Sequence, residues 1–250
     1  MNTINPIKQN NYNYSFTSRN NPVDTFKIAT KLGDIIVEEV NYDRDITPKF
    51  IKRLTSFFCK NFGADTADPF WNRYKNGTPE QKQELFDIIE KYYTGIFKEE
   101  KANHNTTLLV AKDKDNKIQG ACLTTPCYEI PGAEDITLYI DSIATNKKFR
   151  GLFLAKRMLL KTMAANSKTY SDSFLTAAVE SAGFYEKLGY KKLNKKSPAQ
   201  KNILNYIATH RRDYPDYMTP MSMPLDATAP RWFKKAAETL EKLPENGKNS

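Results

Sequence analysis

The sequence predicts one α/β (α+β) domain, and three stretches predict it. Between Tyr139 and Leu160 a strand carrying Ile140 and Ile143 passes through a basic turn into Leu154, Met158 and Leu159 at helical spacing. The hydrophobic period changes there from two to about 3.6. Two apolar runs, 107–112 and 118–124, are separated by Asp113, Lys114, Asp115, Asn116 and Lys117 and read as a β-hairpin. Residues 174–179 are continuously apolar, as in a strand buried on both faces.

Taken in order, residues 1–27 are rich in Asn and poor in apolar pattern, and are expected to be a disordered tail. Residues 28–225 are expected to form a single domain. Its first strand is 35–40, followed by a helix from Thr47, an N-cap with Pro48 at the first helical position, through Phe62, with Gly63 ending it. A second helix spans 79 to about 98, with Leu85, Ile88, Ile89, Tyr92 and Ile96 at helical spacing. The hairpin, a strand over 136–145, the helix after the basic turn and the strand 174–179 follow. Phe184 and Leu188 share a helical face, Gly189 suits a left-handed cap, and Tyr190 opens a new strand. A helical insert is expected near 197–213. The segment 217–225 reads as a final edge strand, because Pro220 and Pro224 cannot donate to a ladder on both sides. Residues 226–250 carry an amphipathic helix, with Trp232, Phe233, Ala236, Leu240 and Leu243 on one side, and a tail. This helix is expected to pack on the domain or against a second copy, which would make a homodimer.

Composition narrows the function classes. At 250 residues and 40% hydrophobic content the chain can bury one sizeable core plus extensions. It has no apolar run of about eighteen residues and no secretory pattern at its start, so no membrane association is expected and the predicted location is cytoplasmic. Cys59, Cys122 and Cys127 lack CxxC spacing and are expected to be reduced packing residues. His104 and His210 stand far apart without Cys or His partners, and no metal site is expected. Of the net charge of +9, the last sixty residues contribute twelve Lys/Arg against six Asp/Glu. This charge reads as a solvated surface, or as attraction for phosphates, an acidic acceptor or nucleic acid. Tyr206, Tyr214 and Tyr217 interleave with it, but no nucleic-acid motif accompanies it.

A strand-to-helix junction is suited to bind an anion. The first helical turn leaves backbone N–H groups without intrahelical partners, and the helix dipole adds positive charge there. Arg150, Gly151, Leu152, Phe153, Leu154 and Ala155 occupy this junction. They resemble the acetyl-CoA-binding motif of the GCN5-related N-acetyltransferases (the GNAT superfamily), Arg/Gln-x-x-Gly-x-Gly/Ala. Arg150 and Ala155 fit that pattern, while Phe153 stands where the family has glycine. A second register, begun at Lys148, places Gly151 on the first glycine and Phe153 on the second. Further on, Phe184, Tyr185, Glu186, Lys187, Leu188, Gly189 and Tyr190 are similar to the family's Phe-Tyr-x-Lys-Leu-Gly-Phe signature.

The resemblance implies a mixed, mostly antiparallel sheet of six to seven strands flanked by helices, with a V-shaped splay between the fourth and fifth. It implies acetyl-CoA as cosubstrate, with Ile143, Ala144 and Thr145 along the pantetheine arm and Arg150 to Ala155 at the pyrophosphate. The acceptor is an amine, on a small molecule or a peptide. Tyr185 is implied as the acid that protonates the departing thiolate, and Asp141 and Glu180 are candidates for the base that deprotonates the amine. The two early helices would border the acceptor pocket, with Phe57, Phe58, Phe70, Trp71, Tyr92 and Tyr93 as candidate walls. Where the family has an Asn ahead of its second signature this chain has Ala178, and Ser181 or Glu180 could substitute. Phe153 and Ala178 motivate another reading, a degenerate domain that serves as a CoA-binding or protein-interaction module. A basic nucleic-acid-binding protein is the third.

Overall fold

The computed structural model describes residues 25–62, 69–103, 106–128, 130–193, 200–209, 218–226, 229–231 and 233. Among them, one eight-stranded sheet runs in the order β1-β2-β3-β4-β5-β6-β8-β7. Its strands are β1 (Phe26–Thr30), β2 (Gly33–Glu39), β3 (Thr107–Lys112), β4 (Ile118–Pro126), β5 (Thr137–Thr145), β6 (Asp172–Ala178), β7 (Lys191–Lys192) and β8 (Met218–Pro224). The helices are α1 (Tyr42–Asp45), α2 (Pro48–Phe62), α3 (Pro69–Asn76), α4 (Pro79–Asn103), α5 (Leu154–Asn166), α6 (Val179–Lys187) and α7 (Gln200–Thr209).

The sheet is mostly antiparallel, and the pair β5 and β6 is parallel. Eight strands exceed the expected six to seven. One of the additions, β1, starts at Phe26 inside the stretch expected to be tail, and it buries Ile28 against the core. The segment expected as the outermost strand is β8, which lies between β6 and β7. Its prolines are tolerated because they face the sparsely paired side. The Pro220 carbonyl accepts from Leu193 N–H at 3.3 Å on the β7 side, and β7 is only two residues long.

Two apolar layers enclose the sheet. On one face α5 and α6 bury Leu154, Met158, Leu159, Met163, Tyr185 and Leu188. On the other, α2 and α4 bury Leu54, Phe58, Ile89, Tyr93 and Phe97. Thr47 caps α2 as expected, its hydroxyl accepting from Phe50 N–H at 3.1 Å. On α4 the buried stripe is Leu85, Ile89, Tyr93 and Phe97, whereas Ile88 and Tyr92 are turned outward. All three cysteines are buried free thiols. His104, His210, Gly63, Trp232 and most of the basic C-terminal segment lie outside the described residues.

The approach of α5 to the sheet is set by Gly120. A Cβ at that position would lie 2.9 Å from Met158 Cε and 3.1 Å from Leu154 Cδ2. Gly120→Val is therefore expected to overpack this contact and destabilise the fold by about 1–3 kcal/mol. Thermal unfolding followed by circular dichroism checks this, and an unchanged midpoint means that α5 is free to move away.

Candidate active site

The site begins where two parallel neighbours separate. β5 and β6 pair only from Thr137 with Asp172 to Tyr139 with Phe174. Beyond Tyr139, β5 stays on β4 and β6 stays on β8, so a V-shaped gap opens toward their C-terminal ends. Within β5 the separation coincides with a register shift: Ser142 pairs with Leu123 and Ile140 with Thr124, leaving Asp141 as an extra residue. Such a bulge bends the strand and re-aims the side chains beyond it. Ile140 packs with the α5 layer, while Ala144 belongs to the α2 and α4 layer.

The far end of β5 leads into the anion turn. Asn146 opens a short 3-10 turn, Lys147–Phe149, by accepting from Lys148 N–H at 3.1 Å. Gly151 then takes φ +78, with nothing within 4 Å of where a Cβ would project. Phe153 takes φ +60 and ψ +13, the left-handed conformation that favours glycine. The bulky residue thus keeps the backbone of a glycine turn, and its ring, 66% exposed, points away from the core.

Arg157 N–H bonds to the Phe153 carbonyl at 2.9 Å, so the N–H groups of Leu154 and Ala155 precede that bond at the helix start. Lys147, Lys148, Arg150 and Arg157 are exposed around them, and the first turn of α5 has no acidic residue. Arg150 also donates to the Asn61 carbonyl at 3.3 Å, tying the turn to the end of α2. Leu154 is buried beneath the turn, and Leu152 and Ala155 are half-buried.

On the other side of the gap, β6 leads into α6. Ala178 is its N-cap without a side-chain bond, and Ser181 donates its hydroxyl to the Ala178 carbonyl at 2.9 Å. At the far end Gly189 takes φ +91, Tyr190 N–H bonds to the Tyr185 carbonyl and Gly189 N–H to that of Glu186. This is a Schellman cap.

The cap orients the helix so that Tyr185 and Leu188 are buried while Phe184, four residues before Leu188, is exposed. Tyr185 packs edge-on against Phe184 and Tyr190. Burial, and then the nearby Cys122 thiol, hold its hydroxyl far above the usual tyrosine range. Cys122, the cross-strand partner of Ile143, lies in the same buried layer as Tyr185.

Asp141, one of the two candidate bases, is held by two side-chain hydroxyls. Tyr92 O–H donates to its Oδ2, and Ser142 O–H donates to its Oδ1 at 2.6 Å. Ser142 in turn shares a hydrogen bond of 3.0 Å with the buried Tyr93 hydroxyl. Burial raises the Asp141 carboxyl above the ordinary carboxylate range, and the Ser142 and Tyr92 donors oppose that shift. Glu180 is exposed in the first turn of α6. Among the expected pocket walls, Phe57, Phe58 and Tyr93 are core, Trp71 is half-buried and Tyr92 is exposed. The side chain of Phe70 lies outside the described residues.

A family profile described as "Acetyltransferase (GNAT) domain" matches residues 104–192, which span the meander, the anion turn and the Tyr185 helix. Over those residues the chain is similar to a GNAT acetyltransferase domain. The expected mixed, mostly antiparallel sheet flanked by helices is the fold found, and its splay lies between β5 and β6. Similar solved structures include the PaiA N-acetyltransferase of Thermoplasma acidophilum in complex with coenzyme A, at 11% identity and TM-score 0.48, covering 74% of this chain and 97% of that one. The GNAT family acetyltransferase of Elizabethkingia anophelis with acetyl-CoA bound is 15% identical at TM-score 0.41, covering 76% and 97%. Tetrahymena GCN5 is 12% identical at TM-score 0.44, covering 71% and 87%. No curated protein matches the sequence.

Proposed function

We propose that this GNAT domain transfers an acetyl group from acetyl-CoA to a primary amine by direct attack in a ternary complex. The observation that carries the reading is the gap between β5 and β6, with an anion turn beyond its β5 lip and Asp141 and Tyr185 on its two sides. The pyrophosphate is the anion for the Gly151 to Ala155 backbone. The β5 edge turned away from β4, at Ile143 to Thr145, offers backbone groups to the pantetheine amides. Holding both substrates in one gap supplies much of the rate.

The acceptor ammonium gives a proton to the Asp141 carboxylate, and the freed nitrogen lone pair attacks the thioester carbonyl. The C–S bond then breaks, the sulfur leaves as a thiolate, and the nitrogen gives up its second proton to solvent as the amide forms. Tyr185 stays protonated through neutral pH. Because its hydroxyl holds a proton more tightly than an ordinary thiol does, its contribution is a hydrogen bond to the departing sulfur, with solvent supplying the final proton. The left-handed backbone at Phe153 supports an intact turn over a degenerate one.

Calorimetry with acetyl-CoA, followed by a screen of primary amines and N-terminal peptides, tests the reading. Binding heat and release of free thiol with at least one amine are expected, and absence of binding removes the proposal. Tyr185→Phe keeps the ring packing and is expected to lower turnover about tenfold to hundredfold with little change in acetyl-CoA affinity. Unchanged turnover removes the hydroxyl from the mechanism.

A further inference from the structure

We infer that Tyr92 is a positioning residue for Asp141: its hydroxyl, with that of Ser142, fixes the carboxylate at the β5 bulge in the orientation from which it meets the acceptor amine. The inference rests on the reading of Asp141 as the base. The geometry begins with two adjacent tyrosines on α4 that face different ways. Tyr93 lies on the buried stripe with its hydroxyl on Ser142, while Tyr92 is 49% exposed. An exposed tyrosine ordinarily leaves its hydroxyl to water. Here it reaches across to a carboxylate forty-nine residues away in sequence.

Each oxygen of Asp141 therefore accepts one side-chain hydroxyl, Oδ1 from Ser142 and Oδ2 from Tyr92. A carboxylate has about four lone-pair sites, so two donors fix its rotation and leave the remaining sites for an ammonium. The two donors are not equivalent. Ser142 is held from behind by Tyr93, with Cys59 of α2 further back, and belongs to the packed layer. Tyr92 stands at the solvent end of the hydrogen-bonded chain, where the net stability from one such bond is about 1 kcal/mol. Its effect falls on the carboxylate. An ionised carboxylate is favoured by each donor, so losing the Tyr92 hydroxyl moves the Asp141 titration upward.

Among the described residues the titratable groups facing Asp141 are thus Tyr92 and Tyr93 from α4, and the test separates them from folding effects. The Asp141 carboxyl carbon is followed by carbon-13 NMR in the ligand-free protein, its resonance assigned by loss in Asp141→Asn. Tyr92→Phe is expected to raise the titration midpoint by about half to one pH unit. The acid limb of kcat/KM, measured with acetyl-CoA and the fastest amine of the panel, should move up by the same amount. The melting temperature should stay within about 2 °C. An unmoved midpoint overturns the positioning role. A midpoint that moves while the kcat/KM profile stays in place instead removes Asp141 as the base, so the two failures are told apart.

Discussion

Asp141→Asn is expected to lower kcat by about 10²- to 10⁴-fold, the range that general-base catalysis contributes, without lowering stability at neutral pH. The two halves of this expectation come from the same burial. The carboxyl sits at the β5 bulge under α4, where desolvation raises its pKa in the folded protein. A carboxyl whose folded pKa is raised contributes stability below its unfolded value, near 3.9. That contribution is lost as pH rises through the folded value. Once ionised, Asp141 is accordingly a cost to folding, which the Tyr92 and Ser142 donors oppose. Asparagine removes the charge and can still accept one of these hydroxyls while donating to the other. The variant should melt at the wild-type temperature or above it at pH 7. At pH 3, where both folded and unfolded carboxyls of the wild type are protonated, the difference should shrink. Steady-state transfer and melting curves at the two pH values check both halves. Wild-type turnover in the variant would sink the base assignment, and a large fall in melting temperature would show the carboxylate to be a structural anchor.

What the sequence reveals about this site is limited by the range of the interactions. Local chemistry is legible. Thr47 and Pro48 mark the start of α2, Gly189 takes the left-handed cap, and the hairpin falls between Asp113 and Lys117. Each of these depends on residues within a few positions of one another. On α4 the rows through Ile88, Tyr92 and Ile96 and through Leu85, Ile89 and Tyr93 satisfy the same helical spacing. Only the sheet beneath the helix decides which row is buried. The bulge at Asp141 is equally hidden, because it is a property of the register between β4 and β5 and leaves no mark in β5 alone. The Tyr92 contact depends on both facts at once. β1 escapes for another reason: its five residues follow an Asn-rich stretch and bury Ile28 only because β2 folds back on them. Phe153 is the reverse case. The sequence places a bulky residue in a glycine turn, and the structure shows that the backbone accepts it while the ring stands in solvent.

The comparison of Phe153 with Gly151 leads to the second large effect, an expected loss of acetyl-CoA affinity of about a hundredfold in Gly151→Val, in a protein that still folds. Both residues have positive φ, and Phe153 demonstrates that this turn supports one side chain in the left-handed region. The conformational cost of a second is about 1–2 kcal/mol, somewhat more for a β-branched residue. Among the described residues nothing obstructs it, since no atom lies within 4 Å of a Cβ placed on Gly151. Among the described residues, the valine therefore has only ligand or solvent to displace. If the pyrophosphate lies against this backbone, two added methyl groups hold it away from the N–H groups of Leu154 and Ala155. Charge-assisted hydrogen bonds of this kind contribute about 1.5–3 kcal/mol each, and the loss of one or two gives the stated factor. Gly151→Ala separates conformation from volume. It carries a similar backbone strain with a smaller side chain, so affinity should fall in the order glycine, alanine, valine, while both variants lose similar stability. Calorimetric titration of the three proteins with acetyl-CoA and their melting curves decide the matter. Equal affinities across the series would move the phosphate site off this turn, and a loss already complete in alanine would assign the glycine a conformational role.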